Sequence, residues 1–310
     1  MRVAVVGAGA IGGWLATRLA AAGAAEVHLV ARGEALSAVR DRGLRLEDPL
    51  DGDATASVHA TDDAGEIGPV DAVLFGVKAY DAESAARQHL PALVGDGDGV
   101  VVPLLNGVDA ADQCATVVGA DHVAAGIAYV FASLASPGVV RRTGGPGRVV
   151  MGELADGTRG RLDELAAALR AAGVDAQVTD DVRRALWDKF AFIVATSGLT
   201  AATRLPLGAL RDVPASWALF RRVVEETYAV ARARDVEVAD GAVDKAVAFA
   251  EALPAESRSS LFNDLAAGRR LELDALQGAV VRLGAERGVP TPACEALVAV
   301  LAPYAAGVPH

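Results

Sequence analysis

Cysteine is nearly absent from this chain: there are two in 310 residues, Cys114 and Cys294. Their separation fits neither a metal site nor a disulfide framework, and a reducing cytoplasm is the natural setting for such a chain. A basic excess is missing too. The formal net charge is −11, and arginines are dispersed or paired, as in Arg141-Arg142 and Arg221-Arg222. A nucleic-acid partner needs a basic face, so this balance argues against one. No internal repeat stands out beyond general alanine richness. The one long uncharged run, Val123 to Val140, is interrupted by Ser133, Ser136, Pro137 and Gly138. It reads as strand, turn, strand rather than as a membrane span. The first residues enter a strand at once, and no signal peptide is expected.

What is present begins at residue 3. A β-branched run, Val3 to Val6, leads into Gly7-Ala8-Gly9-Ala10-Ile11-Gly12, and a helical stretch from Ile11 to about Ala21 follows. Strand, glycine loop and helix in that order are what dinucleotide binding needs. Gly7 permits the tight turn, Gly9 lets the backbone approach a pyrophosphate, and Gly12 lets the helix pack close. The free N–H groups of the helix start then face the phosphates.

The second strand, Glu26 to Ala31, speaks to the kind of dinucleotide. A site for NAD places a carboxylate at the end of this strand for the ribose 2′-hydroxyl. This chain has Ala31-Arg32-Gly33 there. Arg32 can pair bidentately with a 2′-phosphate, so NADPH is expected. The plainer alternative is an ordinary solvated loop cation, and Glu34 nearby softens the preference.

Apolar residues make up 52% of the chain, enough for one large or two medium domains. The first half alternates strands and helices. Val70–Val77 and Val100–Leu105 are continuous apolar strands apart from Asp71, of the kind found in a parallel sheet covered on both faces. Three short strands are expected next, near Ala124–Ala132, Gly138–Arg142 and Arg148–Met151. Gly144-Gly145-Pro146-Gly147 is expected to be a turn that makes the last two antiparallel. A helix over Arg161–Ala172 and a strand over Val174–Thr179 complete this part. From about Asp180 strand signals stop, and helices are expected at Asp181–Ala195, Ala215–Arg234, Gly241–Leu253, Ser257–Ala267, Glu272–Arg287 and Pro292–Ala302. The fold class is therefore α/β: a Rossmann-type dinucleotide-binding domain over residues 1–179, then an all-helical substrate domain over 180–310.

Two polar residues stand at strand ends, where such folds keep ligands: Lys78 and Asn106. Either could simply cap a strand. In the helical half, Lys189 sits among Ala185, Leu186, Trp187, Phe190 and Phe192. A partly desolvated lysine has a lowered pKa suited to proton transfer near neutrality. The alternative is a lysine whose stem lies on apolar surface while its head reaches water. Ser260 could cap a helix, and Glu272 could favour a helix N-terminus.

Taken together, these pieces resemble the ketopantoate reductase (2-dehydropantoate 2-reductase) family. The similarity runs in order through the glycine loop, Val77-Lys78-Ala79, Leu105-Asn106-Gly107-Val108 and Leu186-Trp187-Asp188-Lys189. It continues through Leu199-Thr200-Ala201, Ser259-Ser260-Leu261, and Glu272-Leu273-Asp274 with Gly278. The resemblance implies reduction of a 2-oxo acid with NADPH. Carried over by position, Lys189 is the general acid, and Glu272 is the carboxylate that orients substrate. Asn106 is shared by cofactor and substrate, Lys78 is a cofactor contact, and Ser260 anchors substrate. The resemblance also has departures. The family's asparagines one and two turns after the lysine are here Ile193 and Ser197, and a third is Leu207. Ile193 and Ser197 would then line the substrate site, and an apolar Ile193 better suits a hydrocarbon side chain. Ketopantoate leads as substrate. A related dehydrogenase for a more apolar 2-oxo acid and a non-catalytic NADPH-binding sensor are the alternatives, and a homodimer stays open.

Overall fold

The computed structural model describes residues 1–308. Its compact units are Met1–Leu105 with Asp109–Val182, and Asn106–Val108 with the chain from Arg183 onward.

The first unit starts as expected with β1 (Arg2–Val6), α1 (Ala10–Ala21), β2 (Glu26–Val30) and α2 (Gly33–Arg42). Three strands the sequence did not announce follow: β3 (Leu44–Glu47), β4 (Ala54–Ala56) and β5 (His59–Thr61). Then come β6 (Ala72–Phe75), α3 (Ala82–Val94), β7 (Val100–Pro103) and α4 (Ala110–Val118). The strands β5-β2-β1-β6-β7 form one parallel sheet in that order. Side chains alternate between its faces. Val3 and Val5 enter one core with Trp14 and Leu165, while Ala4 and Val6 enter another with Phe75 and Leu90. Covering on both faces is why these strands are apolar throughout. β6 is shorter than the apolar run, so Lys78 lies three residues beyond its end.

A second sheet follows, with β8 (Ala124–Ser136), β9 (Val139–Glu153) and, after α5 (Arg159–Ala171), β10 (Asp175–Val178). β9 pairs antiparallel with β8 on one side; on the other it pairs parallel with β3 and then with β10. The expected turn at Gly144–Gly147 is not there. One strand runs through it, and the register passes from Phe131↔Gly144 to Tyr129↔Arg148 across a bulge. Gly145 (φ +79°) and Gly147 (φ +67°) take up the extra residues without reversing the chain. The buried Arg142 donates to Gly145 O at 2.8 Å and occupies the space a Cβ on Gly147 would need.

The helical unit contains α6 (Val182–Thr203), α7 (Leu207–Arg211), α8 (Pro214–Ala233), α9 (Ala242–Ala252), α10 (Ser260–Ala266), α11 (Gln277–Glu286) and α12 (Pro292–Leu301). Its core is built from residues such as Phe190, Val194, Phe220, Val224, Val280 and Leu297. α6 runs two turns beyond its expected end at Ala195, despite Ser197, Gly198 and Thr200. Burial overrides propensity there, and Thr200 and Thr203 return their hydroxyls to the carbonyls of Thr196 (2.6 Å) and Leu199 (2.7 Å). Conversely, α11 starts at Gln277, not Glu272. Leu271, Leu273 and Leu276 are all buried and hold that stretch as turns. Among the described residues no helix is long and apolar enough to cross a membrane.

Asp48 carries the buried charge of the first unit. It accepts from Arg18 (2.5 Å), Arg142 (3.2 Å) and the amides of Leu50 and Asp51 (both 3.1 Å). Burial pushes its carboxyl up, but these donors outweigh burial and hold it below the ordinary carboxylate value of 3.8. A depressed carboxyl contributes stability above the unfolded pKa, and that contribution is lost as pH falls through the folded one. Asp48→Ala should therefore cost about 1–3 kcal/mol near neutrality, because it removes the carboxylate that Arg18 and Arg142 share, while Arg142 keeps Asp51 and Gly145 O. Denaturant unfolding between about pH 7 and pH 2 checks this: the wild type should lose more stability below about pH 4 than the variant does.

Candidate active site

In the first unit the site residues are a loop and two strand ends. Gly7 has φ +105°, and its N–H donates to Val30 O at 2.9 Å. A Cβ there would lie 2.8 Å from Gly76 O, and one on Gly12 would lie 2.1 Å from Gly7 O. The fold itself forbids side chains at both. Gly9 is different. It is the extended N-cap of α1 and makes no side-chain cap, and a Cβ on it would meet only Gly76 O, at an ordinary 3.6 Å. Among the described residues no other heavy atom beyond its chain neighbours and its own helix backbone comes within 4 Å of that position. The first amides of α1, on Ala10, Ile11 and Gly12, have no preceding carbonyl to bond within the helix. With half-buried Ala8 between the glycines, the loop is a cradle of N–H groups that fits a pyrophosphate.

Arg32 caps α2 at the end of β2, and its side chain is 82% exposed. It donates to Asp81 Oδ2 at 2.7 Å. Asp81 ends a 3₁₀ turn, Ala79–Asp81, whose first bond runs from the Asp81 N–H to Lys78 O at 2.9 Å. Arg32 and the Lys78 turn are thus tied together beyond β2 and β6. Nothing in the sequence singled out Asp81, 49 residues from its partner.

In the helical unit Lys189 donates from Nζ to Asn106 Oδ1 at 3.2 Å. The sequence proposed each residue separately; the fold brings them together across 83 positions. Burial lowers the Lys189 ammonium from 10.5 to about 8. The apolar setting comes from α6 itself, where Trp187 and Phe190 pack edge-to-face at 5.5 Å. The neighbouring Asp188 accepts from the buried Tyr228 hydroxyl at 2.9 Å, which fixes the rotation of the helix at this turn. Glu272 is buried, on the turns before α11. Ile193, one turn beyond Lys189, is half-buried, as is Phe192, which packs edge-to-face on Phe249 at 4.9 Å.

The surroundings of three further residues are settled by distant partners. Ser260 does not cap α10. Ser259 does so, accepting from the Phe262 N–H at 3.0 Å and sharing a 2.8 Å hydrogen bond with Thr200, while Ser260 is the exposed first residue of the helix. Ser197, expected to line a substrate site, is 1% exposed, and its hydroxyl accepts from Gln277 Nε2 at 2.8 Å. Leu207 is wholly buried in the core of the helical unit.

Comparison with known proteins covers both units. The model of the family described as "Ketopantoate reductase PanE/ApbA" matches residues 3–156, and the model of its C-terminal part matches residues 181–305. The chain is 34% identical to the 2-dehydropantoate 2-reductase of Halobacterium salinarum over 96% of both chains. Among solved structures, a PanE/ApbA family ketopantoate reductase from Ralstonia eutropha aligns with a TM-score of 0.88 at 38% identity, covering 98% of each chain. A ternary structure of D-mandelate dehydrogenase with NADH and anilino(oxo)acetate aligns with a TM-score of 0.89 at 25% identity, also covering 98% of each chain.

The contrast among the glycines gives a test. Gly12→Ala should lower the melting temperature sharply, since its methyl group collides with backbone. Gly9→Ala should leave melting near wild type yet weaken dinucleotide binding by about tenfold or more, as read by calorimetry. Loss of stability in Gly9→Ala with affinity retained would contradict the cradle.

Proposed function

This chain belongs to the ketopantoate reductase family, and from that premise we propose that it reduces a 2-oxo acid to a 2-hydroxy acid with NADPH, Lys189 acting as proton donor. The observation that carries the reading is the Lys189–Asn106 pair with its lowered ammonium. A general acid works best with a pKa near the working pH, and about 8 meets that condition.

The first unit binds the dinucleotide. The loop Gly7–Gly12 holds its pyrophosphate, Gly7 making the turn and Ala8, Gly9, Ala10, Ile11 and Gly12 offering amides, and Arg32 turns from Asp81 to a 2′-phosphate, with Lys78 beside it on the cofactor side. The nicotinamide, when bound, supplies the hydride. Negative charge then grows on the substrate's carbonyl oxygen. The Lys189 ammonium stabilises that charge and gives up a proton from Nζ. Asn106 Oδ1 orients the ammonium by accepting one of its other protons, and its amide nitrogen is a donor for substrate or cofactor. Glu272 orients the substrate, and the exposed Ser260 hydroxyl anchors it.

Two substrates fit. Ketopantoate leads, because it is the substrate named for the relatives. A more apolar 2-oxo acid is favoured by half-buried Ile193 and Phe192 in the turn beyond Lys189, whose side chains offer no hydrogen-bonding group. The likeness to D-mandelate dehydrogenase supports that second reading.

Two effects should appear together. In the direction of reduction the ammonium is the active form, so kcat/KM should be flat below pH 7 and fall about tenfold per unit above about pH 8. Lys189→Ala should lower kcat by about 10²- to 10⁴-fold and abolish that limb, with NADPH affinity unchanged. Wild-type turnover in Lys189→Ala would remove the assignment.

A further inference from the structure

The turn that carries Glu272 is fastened to two other segments of the helical unit. It folds on itself through the Leu276 N–H to Glu272 O (3.2 Å) and the Gly278 N–H to Leu273 O (2.9 Å). On one flank lies Gly107, next to Asn106. Its φ is +106°, and a Cβ there would sit 2.9 Å from Ala275 O. On the other flank is Gln277, wholly buried, whose Nε2 donates to Val194 O at 2.7 Å and Ser197 Oγ at 2.8 Å. Both acceptors belong to α6, the helix that bears Lys189. Gly198 leaves the room: a Cβ there would lie 2.7 Å from Leu297 Cδ1 and 3.0 Å from Gln277 Nε2.

The amide of Gln277 is not explained by packing. Val194 O can only accept, so the amide must face it with its nitrogen. That leaves Oε1 without a hydrogen-bond partner among the described residues. A buried unpaired acceptor is unfavourable, and a methionine would fill similar space without one. The position therefore holds an amide for the sake of its N–H bonds across to α6. Val194 lies five residues, about 7.5 Å of helix, beyond Lys189. The segments that present Glu272, Asn106 and Lys189 are thus locked to one another through this single turn.

We propose that Gln277 is a positioning residue: by pinning the Glu272 turn into the Gly198 notch of α6, it sets where the Lys189 ammonium stands relative to Glu272 and Asn106. The claim rests on reading Lys189 as the proton donor, and its test must separate the two. Gln277→Met removes the N–H bonds but keeps the volume; Gly198→Ala fills the notch and pushes an intact Gln277 outward. Each is measured for kcat, for KM of NADPH, for melting, and for the titration of Lys189 by NMR after reductive ¹³C-methylation. The chain has three lysines, Lys78, Lys189 and Lys245, so Lys189→Arg assigns the signal. Both variants should lose about ten- to a hundredfold in kcat, the scale of an ångström of misplacement, with the KM of NADPH unchanged. In both, the Lys189 midpoint should move. A drop in melting temperature with kcat and midpoint as in wild type, in whichever variants fold, makes Gln277 a packing residue and overturns the proposal. If the wild type turns over no 2-oxo acid, the functional reading fails, and the Lys189 midpoint alone decides for or against Gln277.

Discussion

One constraint organises the helical unit under the proposed function: an ammonium has to be kept in apolar surroundings without losing its ability to hold and release a proton. Removal from water destabilises the charged form of Lys189 and brings it to about 8, while Asn106 Oδ1 gives one of its protons a fixed direction. Neither effect is useful unless the helix beneath is immobile. Hence the aromatic packing of Trp187 on Phe190, the Tyr228 hydroxyl on Asp188, and the Gln277 amide on Val194. The first stiffens α6 internally; the other two hold it to α8 and to the start of α11, within two turns of Lys189.

The first unit meets a complementary constraint by omission. Gly7 and Gly12 lack side chains because backbone already occupies the space, whereas the space before Gly9 is left open. The loop that packs so tightly therefore also presents the first amides of α1, which have no carbonyl to bond within the helix. The same economy appears at the β9 bulge, where glycines at positive φ admit the buried Arg142, which in turn shares Asp48 with Arg18. Stability of this unit and shape of its loop have a common source in close backbone approach.

Much of this was legible in the chain. The order of strand, glycine loop and helix is local, so β1 and α1 fell within a residue of expectation. The helical unit was legible from its apolar periodicity and proline punctuation. What was not legible depended on distant partners. β3, β4 and β5 are three or four residues each and exist only through their neighbours. Gly144–Gly147 has the composition of a turn, and only Arg142 and the facing strand make it a bulge. Ser197 stands at the right helical spacing for a site residue, but spacing cannot reveal that its hydroxyl accepts from Gln277, 80 positions away. Asn106 and Lys189 were each readable as polar residues in apolar company; their contact was not.

The most direct test of the account is the loss of reduced-nicotinamide absorbance when the purified protein is given NADPH, or NADH, with ketopantoate and with an aromatic 2-oxo acid in parallel. The account predicts turnover of at least one of these acids, faster with NADPH than with NADH. Tight NADPH binding with no turnover of any 2-oxo acid would contradict it and leave a dinucleotide-binding protein without the chemistry assigned to Lys189.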